Sequence, residues 1–265
     1  MMEIRRALVT GAGGRLGRAM ALELAHQGFD VAVHYSASED GAHDTAEAIR
    51  ALGRKAETLQ ADFLDLGAVE ALIGRASEAL GGPLSVLINN ASIFDYDRIG
   101  TVTADSWDRH MSSNLRAPLF LTQAFAAQAP RATQDGQGES LPQALVVNML
   151  DQRVQKLTPE FMTYSLAKHG LWTLTRTTAQ ALAPHVRVNG IAPGSTLIGA
   201  RQSQAHFDGQ RAGTILKRGP NPEDITKALS YLLDAPAVTG QMIAVDGGQH
   251  LGWQTPDIMG QPGES

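Results

Sequence analysis

Short apolar runs alternate along this chain with longer stretches in which apolar residues recur every three to four positions, a strand–helix rhythm that persists from end to end. Arg6–Thr10, Asp30–Tyr35, Lys55–Gln60, Ser85–Asn89, Ala144–Asn148, Val186–Ile191 and Gln241–Val245 read as strands. The segment Arg15–Gln27 places Leu16, Ala19, Met20, Leu22, Leu24 and Ala25 at helical spacing. Further helices are expected from Ser38 to about Leu52 and over Leu64–Leu80, Ala104–Ala127, Phe161–Ala183 and Pro222–Leu233, the last capped by Asn221. The alternation predicts an α/β fold, and the absence of a repeat or internal boundary predicts one domain over residues 1–265. Two segments break the pattern. Pro130–Pro142 is polar and glycine-containing and reads as a surface loop, while Thr196–Gly219 reads as a mobile flap closing on substrate. The tail 254–265, after Trp253, has no assigned role.

Composition narrows the class. The formal charge of −5 comes from 22 basic and 27 acidic residues, and the basic ones are scattered, which argues against nucleic acid or an anionic membrane as partner. With no cysteine there are no disulfides, thiolate metal sites or cysteine nucleophile, and no metal is expected. No apolar run approaches the roughly 18 residues of a membrane span. A cytoplasmic location is expected.

Candidate chemistry collects where the predicted strands end. Thr10–Gly17 (TGAGGRLG) joins the first strand to the first helix, a position where Gly11, Gly14, Arg15, Leu16 and Gly17 could bring backbone close to a pyrophosphate at the helix amino end. After the second strand come His34, Tyr35, Ser36, Ala37 and Ser38, with no acid before Glu39 to meet a ribose 2′-hydroxyl. That absence, with Arg15 as phosphate partner, favours NADPH over NADH. Asp62 follows the third strand, where an adenine contact is expected, and Asn90, Ala91 and Ser92 follow the fourth, beside the cofactor. Pro193, Gly194 and Thr196 turn at the same edge, and Ser195 and Thr196 offer hydroxyls suited to a nicotinamide carboxamide.

The reacting groups are expected between Asn148 and Lys168. Tyr164 and Lys168 are four residues apart on a helix and share a face. A nearby ammonium would stabilise the phenolate and lower the phenol pKa from about 10, making Tyr164 a proton donor for hydride transfer. Asp151 stands thirteen residues before Tyr164, just beyond a strand end. Asn114, a polar residue among Met111, Leu115, Leu119 and Phe120, would satisfy a backbone group and anchor a water, and Phe94 would lie over the cleft.

In order, TGAGGRLG, NNAS, Asn114, YSLAK, Pro193-Gly194 and VDGG resemble the short-chain dehydrogenase/reductase family over about residues 5–250. The resemblance implies a Rossmann-type, doubly wound sheet of seven parallel strands with helices on both faces, nicotinamide chemistry and a homotetramer. Arg15 in place of the usual glycine and Asp151 in place of the usual serine are similar to one branch, the pteridine and dihydromonapterin reductases. That branch implies a pterin substrate, reduced from dihydro to tetrahydro form. It implies Asp151 and Tyr164 as the proton-donating pair, Phe94 stacking on the pterin, Arg15 touching both cofactor and pterin, Ser92 near the pterin and Lys168 on the nicotinamide ribose. Ala37 departs from it, standing where some members have a second arginine for the 2′-phosphate. The residues agree with the branch chemically: a carboxylate repels a developing oxyanion but can accept from the amino and ring N–H groups of a pterin. Two alternatives are a carbonyl reductase acting on an acyl thioester, sugar or other ketone, and a dinucleotide-binding regulator without turnover.

Overall fold

A computed structural model describes residues 4–199 and 202–255. The elements in chain order are β1 (Arg6–Val9), α1 (Arg15–His26), β2 (Asp30–Tyr35), α2 (Glu39–Ala51), β3 (Ala56–Gln60), α3 (Leu66–Leu80), β4 (Val86–Asn89), α4 (Ala104–Met111), α5 (Ala117–Gln128), β5 (Thr133–Gln134), β6 (Ser140–Leu141), β7 (Ala144–Met149), α6 (Met162–Leu182), β8 (Val186–Pro193), α7 (Gln204–Ala212), α8 (Pro222–Asp234) and β9 (Met242–Val245). Seven strands form one sheet in the order β3-β2-β1-β4-β7-β8-β9, every neighbour parallel.

The central strands β1, β4 and β7 are near-continuous apolar runs because helices cover both faces. Alternate side chains go to opposite sides: Val9, Val33, Ile88 and Val147 pack with Met20, Leu24, Ile49 and Leu229 of α1, α2 and α8. Leu8, Leu59, Leu87 and Val146 pack with Leu72, Leu121 and Phe125 of α3 and α5. Each such fully buried side chain contributes roughly 1.5–3 kcal/mol. Among the described residues no helix is long and apolar enough to cross a membrane. The strand order turns back beside β1, and a crevice opens at the carboxyl ends of β1 and β4, where a doubly wound sheet keeps its ligand.

Three local expectations need correction. The stretch 104–127 is two helices joined by one turn of π-helix, Ser112–Arg116. That turn widens the backbone around Asn114 while keeping the apolar rhythm, so periodicity read it as continuous helix. The loop 130–142 contains the antiparallel pair β5–β6, whose turn is held by Asp135 Oδ1 accepting from the Gln137 and Glu139 N–H groups. The stretch 196–219 contains α7, which buries none of its residues and so leaves no apolar stripe to read.

Candidate active site

The glycine turn is held by buried groups beneath it. Gly11 takes φ +63°, and its N–H donates to His34 Nδ1 at 3.1 Å while Ala12 N–H donates to the His34 carbonyl at 2.8 Å. Since Nδ1 accepts, Nε2 carries the proton and donates to the Ala61 carbonyl at 3.1 Å. Burial lowers the His34 pKa from 6.5 to about 4, so the ring stays neutral. Its plane also stacks on Phe63, centroids 4.5 Å apart. From the other side Asn90 Nδ2 donates to the carbonyls of Thr10 and Gly11, and Thr10 Oγ1 accepts from the N–H groups of Asn90 and Ala91. At Gly17 a Cβ would lie 2.1 Å from the Gly11 carbonyl oxygen, and at Gly41 one would lie 2.0 Å from that of Gly13.

These contacts shape a cleft of about 450 Å³, lined among others by Gly11, Gly14, Arg15, Leu16, Gly17, His34, Tyr35, Ser36, Ser38, Asp62, Asn90, Ala91 and Ser92. The first turn of α1 has no side-chain cap at Gly14, so its N–H groups are available to an anion. Ser38 occupies the N-cap position of α2 without a capping hydrogen bond. Asp62 Oδ1 accepts from the Leu64 N–H at 3.0 Å. His34 lines the cleft with both its ring nitrogens bonded within the protein.

Pro193, Gly194 and Thr196 do not line this cleft. They continue β8, where Gly194 N–H donates to the Val245 carbonyl and Thr196 Oγ1 to the Gly194 carbonyl. Ser195 is committed to Gln210 of α7 at 2.8 Å. Arg15, at φ +51°, sends Nη1 to the Ile198 carbonyl at 2.9 Å and Nη2 to that of Leu197 at 3.2 Å. The guanidinium thus ties the glycine turn to the segment after β8.

Beyond the cleft, Tyr164 and Asp151 are brought together: the phenol donates to Asp151 Oδ2 at 2.8 Å, and Asp151 Oδ1 accepts from the Arg153 N–H at 2.8 Å. Burial, then the Asp151 carboxylate, push the Tyr164 pKa well above its ordinary value of 10. This corrects the expectation that Lys168 lowers it. The ammonium lies 5.6 Å from the Tyr164 ring centroid and donates to the Met149 carbonyl at 2.6 Å, and the carboxylate at the hydroxyl outweighs it. Lys168 is itself buried, which lowers its pKa from 10.5 to about 8. Tyr164 is therefore a neutral phenol, the form a proton donor needs. Asn114 accepts from the Ile93 N–H and donates to the Ile93 carbonyl, both at 2.8 Å, so it fixes the loop carrying Ser92 and Phe94.

Phe94 is 52% exposed and meets Tyr164 edge-on at 4.7 Å between centroids. One of its faces stacks on Phe161 at 4.4 Å, with the Arg153 guanidinium 4.8 Å from the Phe161 ring. Phe161, at φ +55°, escaped the sequence reading, as did Asp97, His110 and Thr163 behind Tyr164. A lone aromatic at a helix start carries no pattern. Among the described residues no group of three His, Asp or Glu is arranged to hold a metal.

A parallel doubly wound sheet, a glycine turn opening a helix, and a Tyr–Lys–carboxylate set at one edge define an oxidoreductase of the dinucleotide-binding class. Known proteins agree. The family described as enoyl-(acyl carrier protein) reductase matches residues 11–250. The Brucella suis protein FolM alternative dihydrofolate reductase 1, in complex with NADP, is 42% identical, with TM-score 0.89 over 97% of this chain and 100% of its own. A short-chain dehydrogenase/reductase of Armillaria gallica is 35% identical over 258 residues, 92% of this chain and 95% of that protein. The 3-oxoacyl-[acyl-carrier-protein] reductase FabG of Staphylococcus epidermidis is 30% identical over 254 residues, 93% and 99% of the two chains. The chain belongs to the short-chain dehydrogenase/reductase family.

Proposed function

We propose that the protein is an NADPH-dependent pterin reductase, acting on a dihydropterin to give the tetrahydro form. The observation that carries this reading is the hydrogen bond from Tyr164 to a carboxylate, Asp151, where reduction of a ketone would call for a neutral donor. The Brucella neighbour, called an alternative dihydrofolate reductase, supports it. The cofactor fits the turn: Gly17 and Gly41 keep it tight, and the amino end of α1 lies open for a diphosphate. When bound, NADPH supplies the hydride.

The protein's part is to place and protonate. Phe94 offers a stacking surface for a flat heterocycle, and Asp151 accepts from the N–H groups along its edge. As hydride reaches the imine carbon, Tyr164 gives its proton to the adjacent nitrogen, so the C=N bond becomes CH–NH. The Lys168 ammonium steadies the phenolate and offers its remaining donors to ribose hydroxyls. Asp151 beside the phenolate disfavours that charge and returns the proton from solvent to Tyr164. In this reading Arg15 releases the carbonyls of Leu197 and Ile198 to meet phosphate and pterin oxygen.

The 3-oxoacyl reductase among the relatives supports the second reading, a carbonyl reductase. NADPH oxidation by wild type and Asp151→Ser, with a dihydropterin, an oxidised pterin and a 3-oxoacyl thioester, separates the two. Wild type should reduce a pterin, and the serine variant should lose that activity and gain on the thioester. A wild type that reduces the thioester well and no pterin overturns the pterin reading; one that binds NADPH and reduces none is a regulator.

A further inference from the structure

Behind Tyr164 lies a polar cluster that no step above uses. Asp97, His110 and Thr163 are 2%, 0% and 1% exposed, and they come from the loop after β4, from α4 and from the first turn of α6. Asp97 Oδ1 accepts from the Thr163 N–H at 3.1 Å, and Oδ2 accepts from the Thr163 hydroxyl. The Asp97 carbonyl accepts from the Met162 N–H at 3.3 Å. His110 Nε2 accepts from the Asp95 N–H at 3.1 Å, so Nδ1 carries the ring proton and faces Thr163 Oγ1 at 2.7 Å and the Ser106 carbonyl at 2.9 Å. Every donor in the cluster has an acceptor. The assignment needs a neutral imidazole and an ionised carboxylate.

The placement of this cluster is informative. One end grips the backbone at Asp95 and Asp97, adjoining Phe94, while the other grips Met162 and Thr163, adjoining Tyr164. The His110 and Tyr164 rings approach at 6.1 Å, and Phe94 meets the same phenol ring at 4.7 Å. A buried ionised carboxylate is a costly way to join a loop to a helix, since apolar side chains can do so without stripping water from a charge. What directional bonds add is register.

We propose that Asp97, His110 and Thr163 are positioning residues that fix the distance between the stacking ring and the proton donor. This rests on the pterin reading for the identity of the substrate, and on the structure alone for the clamp. Removing the Thr163 hydroxyl takes away the donor to Asp97 Oδ2 and a partner of His110 while leaving Tyr164, Phe94 and the cofactor cleft intact. Misplacement of a reacting group by about 1 Å costs up to about 100-fold in rate.

The test is steady-state kinetics of Thr163→Val, Thr163→Ser and Asp97→Asn, beside NADPH affinity by nucleotide fluorescence. In Thr163→Val, kcat should fall about tenfold or more and KM for the pterin should rise severalfold, with the NADPH Kd within about twofold of wild type. Thr163→Ser, which keeps the hydroxyl, should recover within about twofold of wild type, and Asp97→Asn should behave like the valine variant. The clamp is overturned if Thr163→Val keeps wild-type kinetics, if Ser rescues no better than Val, or if NADPH affinity falls in step with activity. Should Thr163→Val fail to fold, Asp97→Asn judged by the same kinetics and NADPH binding carries the test. A wild type that reduces only the 3-oxoacyl thioester defeats the pterin reading and leaves the clamp to be judged on that substrate. One that turns over neither defeats both.

Discussion

The two parts of the proposed active site, a cofactor end at the glycine turn and a substrate end at Tyr164, are built by different means. The cofactor end is made of backbone: Gly11, Gly13 and Gly17 lie where almost any side chain would collide, and neutral partners, the buried His34 and Thr10 and the part-buried Asn90, hold the turn at Gly11. The substrate end is made of side chains: Phe94, Phe161, Arg153, Asp151 and Tyr164 lean on one another across three segments, and Phe94 is half exposed. A ligand shared by many enzymes can be met by peptide groups, which tolerate little change. A particular substrate is met by side chains, which evolution can exchange without rebuilding the turn. The prediction is that substitutions at one end change affinity for the cofactor and those at the other change turnover.

The largest effect should come from Tyr164→Phe. Loss of one positioned general acid costs about 10²–10⁴ in rate. Turnover of a saturating substrate should fall within that range while NADPH affinity stays near wild type, because the hydroxyl meets Asp151 and no part of the glycine turn. Near-normal kcat in this variant would remove Tyr164 as the proton donor.

Gly17→Ala and Gly14→Ala sharpen the contrast from the cofactor end. At Gly17 the new Cβ meets the Gly11 carbonyl oxygen at 2.1 Å, whereas at Gly14 nothing of the protein lies within 4 Å. The first variant must shift the turn, at about 1–3 kcal/mol of stability, and should lower NADPH affinity about tenfold or more. The second should melt like wild type. Equal melting temperatures for both would show that the turn is slack.

Much of this division could be read from the sequence, and the reasons differ by residue. All seven sheet strands were legible, most plainly β1, β4 and β7, whose near-continuous apolar runs are buried on both faces, and so was the glycine turn, because its glycines sit between a strand and a helix. Tyr164, Lys168 and Asp151 were singled out by helical and strand-end spacing, and the structure brings Tyr164 and Asp151 into hydrogen-bond contact. His34 was singled out by its position after β2 and lines the cleft, but that its ring nitrogens bond to Gly11 and Ala61 could not be read, since ring direction is invisible in a strand pattern. The cluster of Asp97, His110 and Thr163 joins residues up to 66 positions apart through side-chain geometry alone, and Phe161 reaches Phe94 in the same way. No local spacing encodes such contacts. The π-turn at Asn114 and the helix α7 were missed because one preserves the apolar rhythm and the other buries nothing.

Acid should weaken the cofactor end through His34. Its pKa is about 4 when folded and 6.5 ordinarily, so between these values the unfolded chain holds the extra proton. The stabilising contribution is present above pH 6.5 and is lost as pH falls toward 4, in total roughly 3 kcal/mol. His34→Asn keeps a short acceptor for the Gly11 N–H and removes the titration. Urea unfolding at pH 7 and pH 4.5 should show a smaller loss for the variant than for wild type. An equal loss would place the acid sensitivity elsewhere.

The smallest effect concerns the 2′-phosphate of the cofactor, which tests how far the backbone-built end discriminates at all. No acid lies between His34 and Ser38 to repel a phosphate, and Ser36 and Ser38 can donate to one. The first acid, Glu39, has neighbours of its own: desolvation, then the nearby Glu39 carboxylate, raise the Tyr35 pKa, and His43 lies 3.9 Å from that carboxylate. Among the described residues, Arg15 is the one guanidinium at the cleft wall, and its donors are held by Leu197 and Ile198. A preference carried by two hydroxyls and one shared arginine should be modest. NADPH should bind about tenfold more tightly than NADH, roughly 1.4 kcal/mol, and the ratio should shrink as salt screens the phosphate. Arg15→Lys keeps the charge and loses the fork, so it should weaken NADPH severalfold while leaving NADH nearly unchanged. Fluorescence titration of both nucleotides at low and high salt measures this directly, and equal or reversed affinities in wild type would mean that Glu39 turns back to take the ribose hydroxyl.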